Sequence, residues 1–163
     1  MNRFNLRKRT AESLNPEPIS EPDRMLKNRT TSRVIYGDTD RMGYAYYANY
    51  LRWFEIGRSE LFRQLGMTYR EIEEHGIFLP VSESYCKYIS PIRYDDVLVI
   101  ETSLDTRVKG GVKFDYRLFN DDGLTPVAEG FTKHPFVTPE GKVVRPPRFL
   151  REFLQQKLDE TKA

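Results

Sequence analysis

Residues 46–66 read YYANYLRWFEIGRSELFRQLG, the most informative segment of the chain. It contains no proline, and Gly66 follows its last apolar residue, where a helix commonly ends on a left-handed glycine. The spacing predicts a helix from Tyr46 to Leu65, about 30 Å long at 1.5 Å per residue. Tyr47, Tyr50, Leu51, Phe54, Leu61 and Leu65 share one face, while Trp53, Ile56 and Phe62 lie on others. A helix apolar over so much of its circumference is expected to be buried on several sides. The sequence therefore calls for a central helix with a sheet wrapped around it.

Upstream, Thr31 to Tyr36 is β-branched and aromatic and reads as a first strand, broken by Gly37-Asp38-Thr39-Asp40. Downstream, a short helix is expected from Tyr69 to Glu74, with His75 capping its C-terminal end. The pattern then changes period. Val112, Phe114, Tyr116 and Leu118 alternate with Lys113, Asp115 and Arg117, the signature of a half-buried strand. Val97 to Leu104 forms its partner across the turn at Lys109-Gly110-Gly111. Residues 81–89 and Val127 to Val137 supply two more strands, and a last helix is expected from Phe149 to Leu158. One strand, a long helix and then four strands is an α+β order with an antiparallel sheet.

Residues 1–28 carry Pro16, Pro18 and Pro22 and few aliphatics, so they are read as a disordered tail before a domain spanning 29–163. The basic residues Arg3, Arg7, Lys8 and Arg9 suit an organelle presequence, but Glu12, Glu17, Glu21 and Asp23 count against it. Of 163 residues, 39% are hydrophobic, enough for one core. The net charge of +2 argues against a phosphate-tracking surface for nucleic acid. With Cys86 as the only cysteine, no internal disulfide can form, and Cys86 reads as strand packing. The longest aliphatic run, Val97-Leu98-Val99-Ile100, falls far short of a membrane span of roughly 20 residues. A soluble cytoplasmic protein needing no cofactor is the expectation.

By position alone, Asp38 and Asp40 are turn and capping residues. Glu55 and Arg58 are spaced to pair on the helix, in a structural role. His75 and His134 lie too far apart to suggest a metal site.

The run Tyr36-Gly37-Asp38-Thr39-Asp40, with Gly43, Tyr47, Asn49-Tyr50, Phe54-Glu55 and Arg58, resembles the 4-hydroxybenzoyl-CoA thioesterase family of hotdog proteins. Pro80, Pro91 and Tyr94-Asp95-Asp96-Val97-Leu98 extend the likeness, which covers about Thr31 to Arg145. The resemblance implies a long central helix wrapped by a five-stranded antiparallel sheet, in a homodimer or homotetramer with active sites between subunits. It implies an acyl-CoA substrate and hydrolysis of its thioester. Asp40 becomes the catalytic carboxylate, and the backbone amide at Tyr47 the group that polarises the carbonyl. Some family members carry a histidine at the Tyr47 position, so this chain resembles the tyrosine branch. Gly43, Asn49 and Lys109 are the candidates for substrate contact, and Asp38 is left structural. Two other readings stay open: a hotdog hydratase or dehydratase acting on the acyl chain, and a non-catalytic acyl-CoA binder.

Overall fold

A computed structural model describes residues 25–108 and 110–162 of the chain. In chain order these form β1 (Met25–Arg33), α1 (Asn49–Leu65), α2 (Tyr69–Glu74), β2 (Glu83–Tyr88), β3 (Val97–Asp105), β4 (Gly111–Phe119), β5 (Pro126–Val137), β6 (Val143–Val144) and α3 (Arg148–Lys162). The sheet runs β1-β3-β4-β5-β2, with every pair antiparallel and β6 attached to the far end of β5. The five expected strands are thus joined by a sixth. After the turn at Gly141 (φ 80°), Val143 and Val144 pair with Val137 and Phe136, beyond the point where β2 leaves β5.

The first strand differs from expectation in span. It starts at Met25, inside the stretch read as tail, because Leu26 is buried opposite Leu104. Residues 1–24, including the basic cluster, lie outside the described residues. The strand stops at Arg33, and Tyr36–Asp38 form a single 3-10 turn instead of continuing it. The second helix matches its expected span, and its Thr68 side chain and Glu71 cap one another reciprocally. The ring Nδ1 of His75 lies 2.7 Å from the Glu71 carbonyl, fastening the end of that helix as anticipated.

Alternation sorts each central strand into two faces. Leu98, Ile100, Thr102 and Leu104 of β3 and Val112, Phe114, Tyr116 and Leu118 of β4 point inward and are buried. On the outer face, register brings Arg29, Glu101, Arg117, Glu129 and Lys87 into one row across all five long strands. Their charges alternate, with Arg29–Glu101 at 3.0 Å, Arg117–Glu101 at 3.8 Å and Lys87–Glu129 at 3.2 Å. A polar outer face on an antiparallel sheet means that only its inner face meets the helix.

The helix α1 corrects the sequence reading in an informative way. Its 17 residues begin at Asn49, not Tyr46, and span roughly 26 Å. It buries a single stripe: Tyr50, Trp53, Phe54, Gly57, Leu61 and Phe62. Leu51 and Tyr47, assigned from sequence to the buried face, are exposed, and Ile56 and Leu65 are half-buried. Burial of the large side chains in the stripe contributes roughly 1.5–3 kcal/mol each before entropy. The stripe closes at Gly57, which an apolar count overlooks. A Cβ there would stand 2.3 Å from Thr102 Oγ1 and 2.8 Å from Ile100 Cγ2. Gly130 on β5 plays the matching part, since a Cβ would meet the Phe54 ring at 2.8 Å. The two glycines let α1 lie close on the sheet, with Phe54 stacked on Tyr116 at 4.3 Å between ring centroids.

Candidate functional site

The segment between β1 and α1 folds as a tight hairpin. Thr39 and Ala45 form an isolated antiparallel bridge, flanked by Tyr46 N–H donating to the Asp38 carbonyl at 2.7 Å and Asp40 N–H donating to the Tyr44 carbonyl at 2.9 Å. Gly43 N–H then closes the turn onto the Asp40 carbonyl at 2.9 Å, with Gly43 at φ 75°, a backbone region that costs glycine little. The hairpin is tied to the sheet through Ala45 N–H, which donates to the Ile92 carbonyl at 2.8 Å. Asp40 therefore stands at the head of the turn, half-exposed. One carboxylate oxygen, Oδ1, accepts from Met42 N–H at 2.8 Å, the side-chain turn favoured by aspartate.

The hairpin runs directly into α1. Asn49 N–H donates to the Tyr46 carbonyl at 3.0 Å, and Tyr50 and Leu51 N–H donate to the Tyr47 and Ala48 carbonyls at 3.4 and 3.3 Å. Among the described residues, the N–H groups of Tyr47 and Ala48 meet no backbone carbonyl. A helix start of this kind presents free donors and a partial positive charge. Tyr47 itself is exposed, and its carbonyl accepts from the Tyr88 hydroxyl at 3.1 Å, joining α1 to the end of the edge strand β2. Tyr50 packs edge-on against Tyr88 at 4.8 Å, and Tyr46 lies against Tyr47 at 4.5 Å. Desolvation raises the phenol of Tyr50 to about 12 and the Cys86 thiol to about 11, and pushes Tyr88 upward as well. These groups stay neutral and protonated near neutral pH, so none of them supplies a base. Both histidines are engaged elsewhere, His75 with Glu71 and His134 with Leu79 and Thr132.

The other sequence candidates divide. Gly43 belongs to the turn, with Arg93 close by, its guanidinium lying 4.5 Å over the Tyr44 ring. The Asn49 side chain donates to the Asp38 carbonyl at 2.8 Å, so its amide nitrogen serves the hairpin. Lys109 lies outside the described residues. Arg58 and Glu55 pair at 3.6 Å, with Arg58 nearly buried and Glu55 exposed. Sequence reading passed over the partner of Asp38. That carboxyl is 2% exposed and meets the guanidinium of Arg52 through Oδ1, while Oδ2 accepts from Ile35 N–H at 3.0 Å. No local signal marks this pair, because Arg52 lies on the exposed side of α1, fourteen residues from Asp38.

Among the described residues, two concavities lie away from Asp40: one on the polar face of α3 around Arg151 and Gln155, the other beside Ser59, Arg63 and Thr68. What surrounds the hairpin and the start of α1 instead is exposed apolar surface, including Met42, Tyr46, Tyr47, Leu51 and Tyr88. No helix among the described residues is long and apolar enough to cross a membrane.

Residues 34–157 match the thioesterase-like superfamily. A putative esterase of Aquifex aeolicus is 33% identical over 123 residues, 76% of this chain and 94% of that protein. The putative acyl-CoA thioesterase YneP of Bacillus subtilis is 34% identical over 90 residues, 55% of this chain and 65% of its own length. The solved 4-hydroxybenzoyl-CoA thioesterase of a Pseudomonas strain superposes with a TM-score of 0.69 at 22% identity, covering 78% of this chain and 98% of that one. That likeness shows the fold, a hotdog with an antiparallel sheet laid against a helix, as the hairpin motif implied.

Proposed function

The chain belongs to the thioesterase-like superfamily, and from that premise we propose that it hydrolyses an acyl-CoA thioester to the free acid and CoA. One observation carries the reading. The same short segment presents a carboxylate, Asp40, and the N–H groups of Tyr47 and Ala48 at the start of α1, which among the described residues meet no backbone carbonyl. Thioester hydrolysis needs these two things. As the carbonyl carbon becomes tetrahedral, its oxygen gains negative charge, and a fixed backbone N–H at a helix start stabilises that charge without reorganising. The Tyr47 amide takes this role. Asp40 either attacks the carbonyl carbon directly, giving a mixed anhydride that water then opens, or removes a proton from an attacking water. The CoA sulfur leaves as the thiolate and becomes the thiol by taking a proton, from the Asp40 carboxyl in the general-base route and from water in the direct one. With the nearby phenols and the thiol held neutral, the carboxylate is the group suited to either part.

The site is completed by a second copy of the chain. Among the described residues, Asp40 borders neither concavity, exposed apolar side chains flank it, and the outer edge of β2 beside Tyr88 pairs with no strand. Pairing at this edge covers the apolar surface and walls the space between carboxylate and amide. Gly43, at φ 75° in the turn, and Lys109 complete the proposed contacts to substrate, while Asn49 acts through the hairpin.

The test is free-thiol release from aromatic, short and long acyl-CoAs, with Asp40→Ala and light scattering alongside. Turnover that falls at least ~100-fold in a folded, dimeric Asp40→Ala protein is the expected result, the scale of losing a principal catalytic group. A change in the acyl double bond without thiol release would make the protein a hydratase. Tight binding of acyl-CoA without any reaction would make it a binder.

A further inference from the structure

We infer that Asp38, paired with Arg52, is a positioning residue that fixes the Asp40 carboxylate relative to the Tyr47 amide; this rests on the thioesterase reading above. Asp38 holds three pieces of chain at once. Its carboxyl takes Ile35 N–H at 3.0 Å, at the exit from β1, and the Arg52 guanidinium, on the first turn of α1. Its carbonyl takes Tyr46 N–H at 2.7 Å and the Asn49 side-chain amide at 2.8 Å. Asp40 lies two residues beyond Asp38 on one arm of the hairpin, and Tyr47 lies one residue beyond Tyr46 on the other.

The backbone bridges inside the hairpin keep its arms together, and Ala45 N–H ties it to the Ile92 carbonyl. Asp38 links the hairpin to α1, because its side chain reaches the helix barrel through Arg52 and its carbonyl reaches the helix start through Asn49. Buried to 2% exposure, this carboxylate is shielded from water, while its Arg52 partner remains half-exposed. A buried carboxylate without its cation is unfavourable, so the pair behaves as one latch. A shift of about 1 Å between reacting groups costs on the order of 100-fold in rate. The latch therefore acts on the chemical step more than on substrate affinity.

The experiment compares wild type with Asp38→Asn, Arg52→Gln, Arg52→Lys and the Asp38→Asn/Arg52→Gln double variant, each assayed well below its melting temperature. Asp38→Asn and Arg52→Gln are expected to lower kcat roughly 10–100-fold with KM within about threefold. The double variant should be no worse than the poorer single, and Arg52→Lys should recover most of kcat. Amide exchange at Tyr46, whose N–H the Asp38 carbonyl holds, should speed up in both singles. Wild-type kcat in folded Asp38→Asn overturns the inference, as do additive losses in the double variant. If wild type releases no thiol at all, the thioesterase reading fails by itself. Amide exchange then decides the latch: unchanged exchange in Asp38→Asn overturns it, and faster exchange upholds it.

Discussion

His134 gives the most quantitative handle on this fold. It lies in β5 with 1% exposure, pinned by two groups. Its Nδ1 faces the Leu79 carbonyl at 2.9 Å, which can only accept, so Nδ1 carries the proton. Its Nε2 then accepts from the Thr132 hydroxyl at 2.8 Å, and Thr132 accepts from Tyr116 at 2.7 Å. Protonating Nε2 would break this one-way chain and place a cation in the core near Arg58. Burial is the main cause that lowers His134 from 6.5 to about 4, with the Arg58 charge a smaller one and the Leu79 bond opposing both. The folded protein therefore resists a proton that the unfolded chain takes up below about 6.5. Stability from this residue is fully present above that pH and is lost as pH falls toward 4. A gap of about 2.5 pH units at 1.36 kcal/mol each makes the loss ~3 kcal/mol. Urea unfolding of wild type at pH 7, 5.5 and 4.5, compared with His134→Gln, measures it. The variant starts less stable but should lose less on acidification, because its amide does not titrate. Parallel curves for the two proteins would refute the assignment.

Gly57→Ala sets two effects of opposite sign against each other. Helix propensity alone would stabilise by up to ~1 kcal/mol, but the new Cβ meets Thr102 Oγ1 at 2.3 Å. Overpacking should win, costing about 1–3 kcal/mol by thermal or urea unfolding, with partial recovery in Gly57→Ala/Thr102→Ala. A more stable Gly57→Ala would mean that α1 does not lie this close to β3. On the outer face, Glu101→Lys places three like charges in one row with Arg29 and Arg117. It should cost about 1 kcal/mol in low salt and less than half that in 1 M salt, and an equal cost at both would refute the charge ladder.

The sequence made much of this architecture legible because local signals agreed. The alternation of Val112 to Leu118 assigned both the strand and its faces, and Gly66 ended α1 where the residues require, at φ 95°. Its reading of α1's surroundings went astray for a physical reason. Hydrophobicity reports which side chains prefer burial, not which gain it. Leu51 and Tyr47 are apolar yet exposed, whereas Gly57, with nothing to bury, occupies the middle of the contact. The start of β1 was missed for a related cause. Met25 to Asn28 has little strand character of its own and is held by pairing with β3, a partner more than seventy residues away.

The hairpin shows the same division within the site. Sequence alone located Asp38 and Asp40 in a turn before a helix and, through the motif, distinguished one from the other. Only the tertiary structure separated them by environment: one carboxyl buried against Arg52, the other half-exposed at the head of the turn. A turn's chemistry is written in adjacent residues, since its hydrogen bonds close over a few positions. An ion pair spanning fourteen residues, or a tyrosine hydroxyl reaching from β2 to Tyr47, depends on where two distant backbones come to rest. That is settled by packing, with α1 held on the sheet by two missing methyl groups at Gly57 and Gly130.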